Sequence, residues 1–267
     1  MRIGFIGAGR AGTSLALYLA DFGFSCSGFY SRTKKHADEA AEKIGTIAFE
    51  TADSLIEASD MVALSVSDDA LRAVADAVRA DVTGKYILHL SGAHTSESLD
   101  TLKMRGAFTA SLHPAYTFAA RLQKPDAVRF VAEGDREVLA QFEKRNIPLL
   151  QIEKQDKPLY HAAAVFASNY ITALSHISAG ILEKIGFPEE IARSLFEGLS
   201  HAAVHAAAKN GAENAITGPV ARGDVTTIKA HLDALGQEET EIYKALACEI
   251  LRFAAVPNQE LIKELIQ

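Results

Sequence analysis

Positive charge and cysteine are both scarce in this sequence. Its 267 residues include 27 Lys and Arg against 34 Asp and Glu, giving a formal net charge of −7 at pH 7. Nucleic acids and anionic membranes favour a positive partner surface, so neither is expected as the main partner. The two cysteines, Cys26 and Cys248, form no Cys-x-x-Cys or metal-ligand pattern, which predicts free thiols in a reducing compartment. The first residues, MRIGFIGAG, lack the pattern of a signal peptide, and we expect a cytoplasmic protein.

One long stretch has no charge at all. Residues 158–182 contain no Asp, Glu, Lys or Arg, but they include polar side chains such as His161, Asn169 and His176. A helix that faces lipid rarely carries so many polar groups. The pattern is typical of a helix buried in protein, and we do not expect it to span a membrane.

The chain changes character near its middle. Residues 1–153 alternate short β-rich runs with helical patterns, which predicts a doubly wound α/β domain with a parallel sheet. From Asp156 onward only helical patterns follow, so residues 154–267 are predicted to form an all-α domain. The predicted strands are Arg2–Ile6, Ser25–Tyr30, Thr46–Phe49, Met61–Val66, Tyr86–Ser91, Ala107–Leu112 and Arg129–Ala132. The predicted long helices of the second domain are Asp156–Ile185, Pro188–Lys209, Val225–Leu235, Glu238–Phe253 and Gln259–Ile266.

A glycine pattern joins the first predicted strand to the first helix. GAGRAG places Gly7, Gly9 and Gly12 in the G-x-G-x-x-G spacing of Rossmann dinucleotide-binding loops. The first glycine permits a tight turn, the second lets the backbone approach a pyrophosphate, and the third lets helix and strand pack closely. The helix N-terminus then offers free N–H groups to phosphate. The predicted cofactor-binding residues of this loop are Gly7, Ala8, Gly9, Arg10, Ala11 and Gly12.

The end of the second strand indicates which dinucleotide binds. An NAD site usually has an Asp or Glu about 20 residues after the glycines. This sequence has Ser31, Arg32 and Thr33 there, followed by two lysines and no acid. A guanidinium and two hydroxyls suit the 2′-phosphate of NADP. A solvated basic turn is the alternative.

Polar residues follow several other strands, where open α/β sheets bind their ligands. Ser67 and Ser91 are predicted to flank the nicotinamide end of the cofactor, and His94 and His113 to contact substrate. His161 and Asn169, spaced by eight, share one face of the predicted long helix. Histidine can act as a general acid near neutral pH, and asparagine can hydrogen-bond a substrate. The alternative is a set of polar groups satisfied within a buried interface.

The pair His201 and His205 does not indicate a metal site. Their i, i+4 spacing would bring two ligands together, but no third ligand is evident and the glutamate of a zinc-protease motif is absent. We predict no metal.

Several motifs together resemble a known family. GAGRAG, YSRT, HLSGAH, SLHPAYTFA, YHAAAVFASNY and TGPVARGD resemble Rossmann-like proteins that carry a C-terminal helical domain of uncharacterised function. That family is similar in architecture to ketopantoate reductases, pyrroline-5-carboxylate reductases and 6-phosphogluconate dehydrogenase-like proteins. The resemblance implies reduction of a small carboxylate-bearing substrate with NAD(P)H, and a homodimer formed through the helical domain.

The resemblance also suggests site residues. Ketopantoate reductases carry Lys-x-x-x-Asn-x-x-x-Asn on the first long helix of the helical domain. Here His161 stands at the lysine position, Val165 at the middle asparagine and Asn169 at the last. The TGPVARGDVTTI loop is similar to one that completes the substrate site in those relatives, which implies a substrate-binding role for Arg222 and brings in Asp224 and Thr227.

These observations lead to one main hypothesis and two others. The main one is an NADP(H)-dependent reductase of a small 2-oxo acid, with His161 and Asn169 as catalytic residues. The resemblance to ketopantoate reductases implies 2-dehydropantoate as the candidate substrate. The second is an imine reductase, or a dehydrogenase that works in the opposite direction. The third is an NADP(H)-binding sensor without turnover.

Overall fold

An eight-stranded sheet lies at the centre of the first part of the chain in the computed structural model, which describes all 267 residues. The strand order is β3-β2-β1-β4-β5-β6-β7-β8, and every neighbouring pair is parallel except β6 with β7. The order from β3 to β6 is that of the Rossmann fold, which confirms the predicted doubly wound sheet. The strands are β1 (Arg2–Ile6), β2 (Ser25–Tyr30), β3 (Ile47–Ala48), β4 (Met61–Leu64), β5 (Tyr86–His89), β6 (Phe108–Pro114), β7 (Phe130–Gly134) and β8 (Leu149–Gln151).

Helices connect these strands and cover the sheet. Neighbouring residues Phe5 and Ile6 of β1 belong to two different apolar clusters, as expected for a strand whose side chains alternate between the two faces. Phe29 and Leu15 pack in the first cluster, and Leu64 in the second. The helices are α1 (Arg10–Ala20), α2 (Lys34–Ile44), α3 (Ala52–Glu57), α4 (Asp68–Ala77), α5 (Asp100–Lys103), α6 (Arg136–Glu143) and α7 (Lys157–Ala167).

The remainder of the chain is entirely helical, as the sequence predicts. Its apolar core is small, and Ile228, Leu251 and Ile262 are among its buried members. The predicted helix Pro188–Lys209 is two helices, and two short helices separate it from the next predicted helix, Val225–Leu235. The helices are α8 (Asn169–Lys184), α9 (Glu189–Ser194), α10 (Glu197–Asn210), α11 (Ala212–Ala215), α12 (Pro219–Arg222), α13 (Val225–Ala234), α14 (Gln237–Phe253) and α15 (Gln259–Ile266).

The chain divides into two units later than the change of pattern suggests. The first unit is Met1–Asn169 and the second is Tyr170–Gln267, so α7 belongs with the sheet. The predicted single helix from Asp156 is interrupted at Ser168, whose φ of −133° and ψ of −63° are not helical. Lys157 and Tyr160 of α7 contact Ser91, Ser111 and His113 near the carboxyl ends of β5 and β6. Helical periodicity cannot reveal such contacts.

The uncharged stretch, residues 158–182, is mostly exposed on the surface of the single chain. The prediction that this stretch is buried in protein is therefore wrong for the single chain. By length and composition alone, the stretch Lys154–Lys184 is long and apolar enough to cross a membrane. Only 11% of its most apolar window is buried against the rest of the protein. Leu159 is 78% exposed and Leu174 is 40% exposed. The uncharged stretch therefore forms an exposed apolar surface of the chain rather than part of its core.

Candidate functional site

The glycine loop between β1 and α1 forms one side of a cleft of about 490 Å³, which we call the dinucleotide cleft. The cleft opens beyond the carboxyl ends of β1, β2 and β4, where doubly wound folds bind nucleotides. Its lining includes seven predicted cofactor-binding residues, Gly7, Ala8, Gly9, Ser31, Arg32, Thr33 and Ser67. It also includes Ile6, Tyr30, His36, Ser65, Val66, Ala70 and Val74.

Each glycine of the loop has a distinct steric role. A Cβ on Gly7, whose φ is +106°, would lie 2.4 Å from the Ser65 carbonyl oxygen, and a Cβ on Gly12 would lie 2.3 Å from Ser65 Oγ. A Cβ on Gly9 would meet no heavy atom within 4 Å. Gly7 and Gly12 are therefore required by the fold, whereas Gly9 keeps open space in the cleft. Ser65 Oγ also donates a hydrogen bond of 2.7 Å to the Gly7 carbonyl oxygen, a role that the sequence did not indicate.

The polar lining of the dinucleotide cleft is cationic rather than acidic. Arg32 and His36 line it, and no Asp or Glu does. The neighbouring Lys34 is held by Asp38 and Glu50, at 3.1 Å and 2.8 Å. Arg32 is therefore the charged side chain placed to meet an anionic group in this cleft.

A second cleft, of about 410 Å³, brings together three of the predicted catalytic and substrate residues. We call it the histidine cleft. His113 at the end of β6, His161 in α7 and Asn169 at the start of α8 all line it. The other lining residues are Ala115, Tyr116, Thr117, Ala164, Val165, Ala167 and Ser168.

Two imidazoles line the histidine cleft, and one of them is hydrogen-bonded to a phenol behind it. His113 Nδ1 lies 2.5 Å from the Tyr160 hydroxyl oxygen, and the rings of His113 and His161 meet edge to face with centroids 6.3 Å apart. A Cβ on the buried Gly92 would lie 2.7 Å from His161 Cδ2 and 3.0 Å from His113 Nε2. Glycine at this position therefore lets both rings approach the end of β5. Tyr160 and Gly92 were not among the predicted site residues.

The His113 ring is neutral at physiological pH. Burial, reinforced by the nearby Lys157 and His161 side chains, lowers the pKa of His113 to about 4. Burial also raises the pKa of Tyr160, so its phenol stays protonated. A neutral imidazole hydrogen-bonded to a phenol can orient and polarise a substrate, but it is a poor source of a proton.

Lys157 lies in the first turn of α7 and is the most unexpected member of this region. Its side chain is only 1% exposed, and its Nζ donates hydrogen bonds to the Ser91 carbonyl oxygen, at 2.9 Å, and to Ser111 Oγ. Glu133, also buried, is held by the backbone N–H and hydroxyl of Ser96. A lysine beside Asp156 is typical of a solvated helix start, so no sequence pattern indicates a buried ammonium here. The two hydrogen bonds of Lys157 attach α7 to the turn after β5 and to β6.

Burial of Lys157 gives the stability of the protein a specific pH dependence. Desolvation lowers the pKa of Lys157 to about 8, from an ordinary value of 10.5. Between these two values the unfolded chain binds the proton and the folded chain releases it, so the unfolding free energy should rise with pH. At about 1.4 kcal/mol for each pKa unit, the gain is at most about 3.5 kcal/mol. Chemical denaturation of wild type and of Lys157→Met from pH 7.5 to 10.5 measures it.

The Lys157→Met variant serves as the reference because every other titrating group is shared. Wild type should gain stability relative to the variant across that interval. Parallel curves would show that Lys157 does not change its protonation in folding.

The remaining predicted residues lie outside the two clefts. The His94 side chain is exposed, and the His94 backbone N–H donates to Ser91 Oγ at 3.0 Å. Ser91 thus orders the turn after β5, and its carbonyl accepts from Lys157. Arg10 and Ala11 begin α1 without lining the dinucleotide cleft.

Arg222 lies in the second unit, as the last residue of α12. Asp224 is the N-cap of α13: its carboxylate accepts from the Thr227 backbone N–H at 3.0 Å and from the Thr227 hydroxyl at 2.7 Å. A local capping role accounts for both Asp224 and Thr227.

Comparison with solved structures finds the same architecture in several proteins. A proposed NADP oxidoreductase from Bacteroides fragilis aligns with a TM-score of 0.74 at 22% identity, covering 93% of this chain and 97% of its own. Protein TM1727 from Thermotoga maritima aligns with a TM-score of 0.67 at 26% identity, covering 99% and 98%. A reductive aminase from Aspergillus terreus, solved with NADPH and ethyl levulinate, aligns with a TM-score of 0.66 at 19% identity, covering 98% of each chain.

Comparison with curated proteins finds no match. Comparison with protein families gives two matches that follow the two-part pattern of the chain. Residues 1–114 match the Rossmann-like domain, and residues 130–250 match a domain of unknown function, DUF2520. The chain therefore combines a Rossmann-like domain with a DUF2520 domain.

Proposed function

We propose that this protein is an NADPH-dependent reductase of a small carbonyl compound, with a 2-oxo acid such as 2-dehydropantoate as the candidate substrate. The carrying observation is that one sheet has two clefts at its carboxyl edge. The dinucleotide cleft has a cation and no carboxylate, and the histidine cleft contains His113, His161 and Asn169. A cofactor site beside a proton-donor site is what reduction of a carbonyl requires.

The dinucleotide cleft fits NADPH on its own geometry. Gly9 leaves space at the N-terminus of α1 where a pyrophosphate is accommodated, and Arg32 faces the cleft with no acid to repel a 2′-phosphate. The similar structures described above include the proposed NADP oxidoreductase from Bacteroides fragilis and the reductive aminase that was solved with NADPH. Bound NADPH would supply the hydride.

The residues of the histidine cleft supply the proton and the orientation. His161 donates a proton to the substrate oxygen as negative charge develops there. Neutral His113, held by Tyr160, provides a hydrogen bond to the same polar end. Asn169, whose Oδ1 lies 2.9 Å from Ser168 Oγ, binds the polar substituent of the substrate.

The direct test is oxidation of NADPH, followed by nicotinamide absorbance, against a panel of 2-oxo acids and cyclic imines. Turnover of 2-dehydropantoate would establish reaction class and substrate together. Tight NADPH binding without turnover across the panel would contradict the reductase and favour a non-catalytic NADP(H) sensor.

Imine reduction is a second candidate, and the composition of the histidine cleft favours it. None of its ten lining residues is Lys or Arg, so the carboxylate of a 2-oxo acid meets only hydroxyl, amide and imidazole groups there. An uncharged imine or ketone needs no cation. Preferential turnover of cyclic imines in the same panel would select this reaction, or its reverse as a dehydrogenase.

Arg32 should determine the choice of dinucleotide. A charged hydrogen bond contributes about 1.5–3 kcal/mol. Arg32→Ala is therefore expected to raise the Kd for NADPH roughly 10- to 100-fold and to leave the Kd for NADH nearly unchanged. Titration of nicotinamide fluorescence measures both constants. Lys34→Ala is the matched control, because Lys34 is paired with acids outside the cleft; equal weakening of both dinucleotides by Arg32→Ala would contradict the assignment.

We propose that the protein is a cytoplasmic homodimer that covers its apolar helical surface. Three large apolar side chains, Leu159, Ile185 and Leu199, are 78%, 68% and 68% exposed. Extensive exposed apolar surface on a soluble protein marks an interaction site. The polar side chains along Lys154–Lys184 disfavour lipid as the cover. Light scattering at micromolar concentration should give twice the chain mass, and a monomer would contradict the proposal.

A further inference from the structure

The loop between β6 and β7, residues 115–129, connects the two clefts. Fifteen residues without helix or strand form an unusually long connection in a compact domain, and such loops are commonly functional. The first residues of this loop, Ala115, Tyr116 and Thr117, line the histidine cleft. The aromatic rings of Tyr116 and Phe118 pack with centroids 5.2 Å apart. The loop therefore forms one wall of the proposed substrate site.

The middle of the same loop is attached to the dinucleotide cleft by one arginine. Arg121 Nε donates to the Ala8 carbonyl oxygen at 2.9 Å, and its Nη2 donates to the His36 carbonyl oxygen at 2.8 Å. Its Nη1 pairs with Glu39 Oε2 at 2.8 Å. Ala8 and His36 both line the dinucleotide cleft. The guanidinium thus contacts the glycine loop and α2 together, which a single-point donor such as lysine would not do.

A second set of hydrogen bonds reinforces this attachment. The Leu122 backbone N–H donates to Thr13 Oγ1 at 3.0 Å, and Thr13 Oγ1 lies 2.8 Å from the Gly9 carbonyl oxygen. Ser14 Oγ lies 3.4 Å from the Ala120 carbonyl oxygen. Leu122 has φ of +59°, a left-handed conformation that costs a leucine free energy and persists where its surroundings fix it. These contacts attach the middle of the loop to the first turn of α1.

We propose that Arg121 is a positioning residue that couples occupancy of the dinucleotide cleft to the shape of the histidine cleft. This inference rests on the proposed function. A dinucleotide that settles the glycine loop fixes the Ala8 carbonyl, and through Arg121 it fixes the loop whose first residues form the substrate wall. Coupling between two sites is reciprocal, so a substrate held by Tyr116 and Thr117 in turn strengthens dinucleotide binding.

Hydrogen–deuterium exchange with and without NADPH tests the coupling directly. In wild type, saturating NADPH should slow exchange both in the glycine loop and in residues 115–119. In Arg121→Ala, saturating NADPH should still protect the glycine loop, while residues 115–119 gain much less protection than in wild type, because only the weaker contacts of Ala120 and Leu122 with α1 remain. Arg121→Lys keeps the charge without the three-way contact and should behave like Arg121→Ala; it decides the question if the alanine variant does not fold.

The matched control is Arg136→Ala, which removes an exposed arginine whose partner is Glu143 in α6, away from both clefts. This variant should reproduce the wild-type pattern. Equal NADPH-induced protection of residues 115–119 in wild type and in both Arg121 variants would overturn the coupling while leaving the cofactor assignment intact. No protection of the glycine loop in wild type would instead overturn the proposed function, and the coupling with it.

Discussion

Replacing His161 by alanine is expected to lower kcat for carbonyl reduction by roughly 100- to 10,000-fold, the usual contribution of a positioned general acid. His161 lines the histidine cleft beside His113, and the neutral His113 cannot replace it as a proton source. The Kd for NADPH should not change, because His161 does not line the dinucleotide cleft. Steady-state rates on the substrate identified by the panel, together with NADPH titration, measure the two effects separately.

The control for this variant is His94→Ala. His94 is an exposed histidine of the turn after β5, and only its backbone N–H is used there. It should retain wild-type kcat. A loss of less than about tenfold in His161→Ala would show that another group delivers the proton, since positioned acids contribute more.

A large part of the fold could be predicted from the sequence because the sheet is mostly parallel. Strands covered on both faces give short apolar runs, and β1 and β2 were predicted with the observed bounds. The short strand β8 was missed. Leu149–Gln151 is largely exposed at the sheet edge and lacks the apolar run that marks an inner strand.

The site was predicted less completely, for a physical reason. His113, His161 and Asn169 were found because polar residues after a strand or spaced by eight on a helix have an identifiable pattern. The role of Lys157 depends on burial, and that of Gly92 on the distance to two rings from another part of the chain. Burial and distances of this kind arise from tertiary packing, so no local pattern contains them. The same holds for Arg121, whose partners are all distant in sequence.

Replacing Gly92 by alanine should strongly reduce catalysis, although it adds only one methyl group. The added Cβ would lie 2.7 Å from His161 Cδ2 and 3.0 Å from His113 Nε2, so both rings must move away from the end of β5. The φ of Gly92 is outside the left-handed region, so the effect is steric rather than conformational. A misplacement of about 1 Å costs about 100-fold in rate. We expect that loss in kcat/KM, with NADPH affinity retained.

Gly180→Ala is the matched control for the methyl group. Gly180 lies within α8, and a Cβ there would meet no heavy atom within 4 Å, so the variant should gain about 0.5–1 kcal/mol of stability and keep full activity. A Gly92→Ala protein with wild-type kcat/KM would show that the position of the two rings does not limit the reaction.

The double variant Gly92→Ala, His161→Ala separates the contributions of the two rings. If Gly92→Ala acts only by displacing His161, the double variant should react as slowly as His161→Ala, because the two changes affect one group. Any further loss in the double variant measures what the orientation of His113 contributes.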